Sequence, residues 1–300
     1  LIRKRPDMRL DEKGQELMDD NYTIFDLIVN DITGPNRDAR KTYIPSHWHR
    51  EMELFVLLEG RAQLGVGGSL WDICPGEGFF INSGALHSFT FSKGVQYRSL
   101  LFDPGIVAGA PGSVFDSMYV RPLLEDGPAQ LRFRPQEDSA FFQEFQRIFR
   151  SCLQEPPGFE FQARAALSNV LLLAREKGQV SPGRRATAAQ EARVKSMLRW
   201  MEERLGEPIT LPDIARQANI CPRACQKAFQ RYLHCSPMEY LQRRRVFAAA
   251  ERLALTDQPV TAIALDCGFS SPSYFSKQFK AQTGVSPMEY RSSAQAGREG

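Results

Sequence analysis

No run of apolar residues in this chain approaches the ~18 that a membrane-crossing helix needs, so no such helix is expected. The basic opening, Leu-Ile-Arg-Lys-Arg-Pro, has no apolar stretch behind it and does not read as a secretory signal. Cysteine is sparse and unpaired. Cys74, Cys152, Cys221, Cys225, Cys235 and Cys267 follow no disulfide-framework spacing, which points to reduced thiols and a cytoplasmic setting. Cys221 and Cys225 stand four apart, but no second Cys or His pair accompanies them, which argues against a zinc finger. Histidine is scarcer still: there are four, and three of them lie between positions 47 and 87.

What the chain does have is length for two domains, 300 residues, and an ordinary hydrophobic fraction of 42%. Its net charge of +3 hides an asymmetry. From Arg184 onward there are 18 Lys and Arg against 11 Asp and Glu, whereas the first 183 residues hold 20 against 24. An acidic front and a basic back imply that only the back meets a polyanion.

Between Tyr22 and Phe102 short apolar or alternating runs are separated by Gly and Pro turns, the punctuation of an all-β unit. Leu54–Leu58 is continuously apolar and ends at Glu59-Gly60. Ala62, Leu64 and Val66 then alternate with Arg61, Gln63 and Gly65 before Gly67-Gly68 closes a hairpin. The spacing predicts a compact barrel or double-sheet jelly roll. Within it lie His47-Trp48-His49, Glu53 and His87. On a strand His47 and His49 share a face, and Glu53 joins them if the strand stays regular, with Trp48 turned away. Three imidazoles and a carboxylate are a donor set for a divalent metal with open positions. The same residues also suit a metal-free effector pocket or a structural hydrogen-bonded cluster, and the sequence leaves these readings open.

From Pro104 to Pro135 the chain is broken by Gly and Pro and is expected to be loop-like. Phe141, Phe142, Phe145, Ile148, Phe149 and Cys152 then fall at helical spacing. Phe161, Ala165, Leu167, Leu171 and Leu172 do so again beyond Pro156-Pro157-Gly158. Two helices so apolar are expected to pack in part against the barrel and, on the sharper reading, to pair subunits as a dimer. Residues 179–190 read as a linker.

Beyond it one unit is written twice. Phe229 and Ser236-Pro237-Met238-Glu239-Tyr240 recur as Phe279 and Ser286-Pro287-Met288-Glu289-Tyr290, 50 residues on. Cys221-Pro222 recurs as Ser271-Pro272 at the same offset, and Ile214-Ala215 as Ile263-Ala264, one residue short. Each unit reads as helix, short turn, helix, about 210–233 and 260–282, with Tyr240–Leu255 a long helix between. Ser271 caps the second helix of the second copy, with Pro272 at its first position. Tyr274, Phe275 and Phe279 form its apolar side, and Ser273, Ser276 and Lys277 project opposite. Two such units can place two helices in successive major grooves about one turn of DNA, ~10 base pairs, apart. Arg223 suits guanine and Gln226 adenine, while Arg231, Arg243, Arg244 and Lys280 suit phosphates. Arg245 suits either DNA or a structural ion pair. In the first copy Cys221 stands where the second has a capping Ser, and His234 where it has the helix-ending Gly284, so that His234 must adopt positive φ or reshape the turn.

Two resemblances follow from these residues. His47, His49, Glu53 and Gly60 fit the first motif of the cupin family, and Gly84 and His87 its second. Two framing positions depart: a Pro is missing from the second motif, and Lys41 stands where a Gly is usual. Residues 192–291 resemble the AraC/XylS family of bacterial transcription regulators. The likeness rests on Cys267-Gly268-Phe269-Ser270-Ser271-Pro272-Ser273-Tyr274-Phe275-Ser276-Lys277, on Thr283-Gly284-Val285-Ser286-Pro287 and on Tyr290-Arg291. That resemblance implies a bipartite DNA-binding domain behind an effector-sensing or dimerising domain that is often cupin-like. It implies base-facing positions at Arg223, Gln226 and Lys227 in one recognition helix and at Ser273, Ser276 and Lys277 in the other.

The expectation is an α+β chain of two domains. A cupin-like β-barrel (jelly roll) with flanking helices occupies 1–130, a dimerising helical segment 131–178 and a linker 179–190. An all-α domain of two helix-turn-helix units occupies 191–300. The expected function is promoter binding controlled by a small, sugar-like effector near His47, His49, Glu53 and His87. No cofactor is required, and a divalent metal at that cluster is the open alternative. Expected partners are double-stranded DNA, the effector, a second copy of the chain and, for an activator, RNA polymerase. The rivals are a metal-dependent cupin enzyme with a DNA-binding appendage and a constitutive dimeric DNA-binding protein.

Overall fold

The computed structural model describes residues 3–4, 27–33, 43–178 and 185–296. Two compact units divide between Glu191 and Ala192. The first is built on two sheets. One has six strands in the order β1-β2-β9-β4-β7-β10: Arg3–Lys4, Leu27–Ile32, Gln96–Phe102, Met52–Glu59, Gly78–Ile81 and Gln130–Phe133. The other has four in the order β3-β8-β5-β6: Tyr43–His47, His87–Phe91, Ala62–Val66 and Ser69–Ile73. All pairings are antiparallel except β1 with β2. This is the double-sheet form of the expected jelly roll.

The six-stranded sheet is covered on both faces, which explains why β4 has no polar alternation. Phe55 and Leu57 point between the sheets, where they meet Leu64, Phe79, Ile81, Phe89 and Phe91. Met52, Leu54 and Val56 point the other way into a core completed by α3 (Ser139–Gln154) and α4 (Phe159–Gly178). There Phe141, Phe145, Ile148 and Phe149 of α3 pack with Ala163, Ala166, Leu167 and Val170 of α4. Gly78 on β7 makes room for this layer, because a Cβ there would stand 2.7 Å from the Phe141 ring. In the small sheet, Ala62, Leu64 and Val66 of β5 are buried, and Gln63 between them is half-buried.

Two expectations, the loop and the linker, need correction. The stretch from Pro104 to Pro135 is not loop throughout. It holds α1 (Gly105–Ala108), a wide π-type turn (Asp116–Val120), α2 (Arg121–Asp126) and strand β10, whose register against β7 supplies the order that Gly and Pro conceal. The apolar face of α3 and α4 is spent within the chain on the six-stranded sheet. Phe161, 78% exposed, and Leu172, 44% exposed, remain uncovered on α4. Of the segment read as linker, 179–184 lie outside the described residues, and 185–190 are helical. Lys41 also lies outside the described residues.

The second unit is helical. It comprises most of α5 (Arg185–Glu202), then α6 (Leu211–Gln217), α7 (Pro222–Leu233), α8 (Pro237–Leu255), α9 (Val260–Asp266), α10 (Pro272–Thr283) and α11 (Pro287–Ala296). The turn between α6 and α7 and that between α9 and α10 are the same wrapped turn. Ile220 N–H donates to the Ala215 carbonyl at 3.2 Å, and Phe269 N–H to the Ala264 carbonyl at 3.0 Å. The extra residue of the second copy therefore falls after the turn, at Ser270. Helices α8 and α11 both start with capping boxes, Ser236 with Glu239 and Ser286 with Glu289, each closed by two hydrogen bonds.

Candidate functional site

In the helical unit, burial separates a seat from a stripe on each second helix. On α7 Cys225 and Phe229 are fully buried, and Arg223, Gln226, Lys227 and Arg231 are exposed. On α10 Phe275 and Phe279 are fully buried, and Ser273, Lys277 and Lys280 are exposed, with Ser276 intermediate. At 100° per residue each exposed set lies opposite its buried pair, so the structure gathers the residues expected on each helix onto one face. The Ser276 hydroxyl is turned back, donating to the Pro272 carbonyl at 2.9 Å. The caps differ as the sequence anticipates. Ser271 accepts from Tyr274 N–H at 3.2 Å, whereas Cys221 makes no such bond.

Sequence reasoning misplaced or missed several residues. Tyr274 was assigned to the buried side but is 43% exposed beside Ser273 and Lys277; its neighbour Phe275, one helical step away, takes the buried position. Gln230, exposed one turn beyond Gln226, extends the first stripe, and its equivalent Lys280 was the available signal. Arg244 is no phosphate candidate: it is 4% exposed and held by Glu202 on α5, with Nε–Oε1 2.5 Å and Nη2–Oε2 2.9 Å. Arg245 makes no ion pair among the described residues. It donates to the carbonyls of Leu205 at 2.9 Å and Glu207 at 2.6 Å, tying down the chain after α5.

In the β unit, His47, His49, Glu53 and His87 do come together, by a different route from the expected one. Strand β3 ends at His47, and the chain turns through His49–Glu51, so Glu53 lies on β4 in the opposite sheet. His47 and His87 are cross-strand partners on β3 and β8, with ring centroids 4.2 Å apart; His49 lies 5.1 Å from His87. The cluster therefore spans the two sheets at one end of the space between them. All four side chains are buried, as is Trp48.

Each imidazole is oriented by its Nδ1, which lies against a backbone carbonyl: Pro45 at 2.8 Å for His47, Glu51 at 3.0 Å for His49, and Ala85 at 2.9 Å for His87. A carbonyl only accepts, so Nδ1 carries the proton and the other ring nitrogen is left to face inward. Glu53 Oε2 lies 3.4 Å from His87 Nε2 and 3.8 Å from His49 Nε2, with no hydrogen bond formed to either nitrogen. Those two Nε2 atoms are buried without a hydrogen-bond partner, a state that costs about 1–3 kcal/mol per group. Burial alone would push the Glu53 carboxyl up, but the His49 and His87 imidazoles hold it well below the usual carboxylate range. Burial, reinforced by His87 and His49, holds the His47 imidazole well below its ordinary value. Behind the cluster Phe55, Phe89, Phe91 and Tyr97 stack in a ladder, with Phe55–Phe89 at 4.7 Å and Phe91–Tyr97 at 4.9 Å.

This donor set fits a metal: three imidazoles and one carboxylate converge, two of the nitrogens without other partners. It equally fits an effector's polar head. Cys221 and Cys225 form no comparable group, since Cys225 is buried against Met197 with Sγ–Sδ 3.6 Å.

Both units match known proteins. Residues 30–171 match the model of the AraC-like ligand binding domain, and residues 214–293 that of a helix-turn-helix domain. The chain is 35% identical over 112 residues to the HTH-type transcriptional activator AarP of Providencia stuartii, covering 37% of this chain and 83% of that protein. It is 26% identical over 254 residues to the uncharacterized HTH-type transcriptional regulator YdeC of Bacillus subtilis, covering 83% of this chain and 86% of that one. Among solved structures, ToxT of Vibrio cholerae with a bound unsaturated fatty acid aligns at a TM-score of 0.48 and 17% identity, over 91% of this chain and 97% of that one. With a doubled helix-turn-helix unit behind a double-sheet ligand-binding domain, the chain belongs to the AraC family of transcription regulators.

Proposed function

We propose that α7 and α10 enter successive major grooves of a promoter and that a small effector held at the His47, His49, Glu53 and His87 cluster controls this binding. The observation that carries the DNA reading is the repeated pairing of a buried apolar seat with an exposed polar stripe at equivalent positions of α7 and α10. Arg223, Gln226 and Lys227 read bases from the first helix; Ser273, Ser276 and Lys277 do so from the second, where Tyr274 adds an aromatic edge. Arg231 and Lys280 contact phosphates and supply salt-dependent affinity. A sugar-like effector would set its hydroxyls against Glu53 and the imidazoles and a ring face against the neighbouring aromatic side chains. Phe161, Ala165 and Leu172, exposed along one side of α4, are the surface through which two copies pair. RNA polymerase is a further partner if the chain activates, and the cytoplasm is the expected setting.

Gel shifts on DNA selected in vitro test the interface. Arg223→Ala is expected to weaken the preferred site by about 1–3 kcal/mol and to relax preference at one base pair. Lys277→Ala is expected to weaken all sequences alike and to flatten the salt dependence by about one unit of slope. Unchanged affinity and preference in both variants would sink the recognition-helix assignment. A thermal-shift screen of sugars and small acids tests the effector. Absence of any stabilising compound, together with DNA binding that no compound alters, would favour a constitutive binder.

A further inference from the structure

We propose that Arg245 is a positioning residue that clamps the two helix-turn-helix copies into one body, so that the chain accepts its two DNA half-sites at a single spacing. The proposal rests on the reading that α7 and α10 enter successive grooves. Helix α8 belongs to both copies. Tyr240 near its start packs on Phe229 of α7, and Val246, Ala249 and Leu253 further along join Ile263, Phe275 and Phe279 of the second copy. A long helix bends gently, and a copy held by one helix alone keeps freedom to pivot about it. The shared helix therefore sets the distance between α7 and α10 without fixing their mutual angle. Fixing the angle takes a second contact away from the α8 axis, and the structure has one.

It is made near the midpoint of α8. The planar guanidinium of Arg245 spans two carbonyls of the segment leading from α5 to α6: Nε donates to Leu205 at 2.9 Å and Nη2 to Glu207 at 2.6 Å. From the other side the turn between α9 and α10 closes onto the same place. A Cβ on Gly268 would stand 2.7 Å from Arg245 Cζ and Nη2 and from the Leu205 carbonyl oxygen. One on Gly206 would stand 2.6 Å from the Asp266 carbonyl oxygen. Arg252, seven residues beyond Arg245 and on the same face of α8, reaches Asp266 at 3.2 Å. The backbone that enters α6 of the first copy thus touches the turn of the second, alongside one guanidinium. A comparison of the two turns shows that close approach is what this place demands. Gly268 has φ 79° and its counterpart Asn219 has φ 52°, so both turns are left-handed, yet the exposed one takes Asn. Glycine is required at 268 by the space that Arg245 and Leu205 occupy, beyond what the dihedral angle asks.

The test uses the full chain and DNA selected in vitro, in competition gel shifts with one base pair added to or removed from the spacer between the two half-sites. Each such change moves the second half-site by about 3.4 Å and turns it by about 35°. Wild-type chain is expected to bind the altered spacers ~100-fold less tightly, the loss of about two base contacts. Arg245→Ala is expected to cut that penalty to ~10-fold or less, and Arg245→Lys, which reaches one carbonyl at a time, to fall between. Gly268→Asn keeps the left-handed turn but drives a side chain into the guanidinium, and is expected to match Arg245→Ala. A probe with the second half-site scrambled, which α7 alone contacts, is expected to bind all four proteins equally, which separates spacing from folding. Variants as strict as wild type overturn the proposal, and so does wild-type chain that tolerates the altered spacers. Loss of binding by Arg245→Ala that is equal on every spacer and on the scrambled probe assigns Arg245 to folding alone and overturns it too. Wild-type chain indifferent to scrambling of either half-site defeats the two-groove reading, and this inference with it. Sensitivity to both half-sites without strict spacing defeats this inference alone.

Discussion

At an offset of 50 residues Cys225 and Phe229 occupy the seats of Phe275 and Phe279, and the Phe229–Tyr240 ring pair, 6.0 Å apart, recurs as Phe279–Tyr290 at 5.4 Å. The scaffolds of the two copies are thus nearly superposable in sequence, and the differences lie where scaffold gives way to surface. The first stripe is long-armed, with Arg223, Gln226 and Lys227. The second is short, with Ser273 and a Ser276 whose hydroxyl is already engaged. The first helix also has the poorer ends. It starts at an uncapped Cys221 and stops at His234 with φ 53°, where the second starts at a capping Ser271 and stops at Gly284 with φ 82°. Long polar side chains and well-made helix ends fall in different copies, and the first copy is braced from elsewhere, by the Arg244–Glu202 pair. The position equivalent to Arg244 in the second copy is Ala294.

Breaking that brace has the largest expected effect. Glu202→Ala leaves the Arg244 guanidinium buried without its partner and is expected to cost about 3–5 kcal/mol, read by urea unfolding followed through helical circular dichroism. A loss below about 1 kcal/mol would show that the first copy does not depend on it. Next is the contrast between reading surfaces. Gln226→Ala is expected to lower discrimination at one base pair by about 1–3 kcal/mol, and Ser276→Ala by less than about 0.5 kcal/mol, in competition gel shifts. Equal losses would erase the proposed division of labour. The smallest effects sharpen the comparison of helix ends. Cys221→Ser is expected to stabilise by about 0.5–1 kcal/mol through the missing cap, and His234→Gly by a similar amount by relieving the left-handed backbone. Neither change should alter sequence preference.

The doubled unit was legible because a repeat displays its own register. Wherever one copy is obscure the other supplies the alignment, so caps, turns and the second stripe follow from the residues, while the first stripe is implied by the family resemblance and lacks Gln230. Tyr274 and Gln230 aside, which are matters of helix phase, the failures depended on contacts distant in sequence. Arg244 looks like a surface cation until Glu202, 42 positions earlier, is brought beside it. The members of the His–Glu cluster were all identified, but the alternation that put Glu53 beside His47 and His49 holds only within one strand. The turn at His49–Glu51 moved Glu53 to the other sheet. The apolar faces of α3 and α4 are plain in the sequence, yet apolarity does not name its partner: the six-stranded sheet takes most of each face and leaves Phe161 and Leu172 of α4 exposed.

Strand β4 has a mechanical consequence. It is a wall one residue thick: Glu53 looks into the imidazole cluster, while Met52 and Leu54, its bonded neighbours, are wedged against the helical layer outside. Peptide geometry allows no independent travel between adjacent residues of a paired strand. Any pull on the Glu53 backbone from inside is therefore felt on the helical side of the wall as a push or a slackening, without a hinge or a moving loop to relay it.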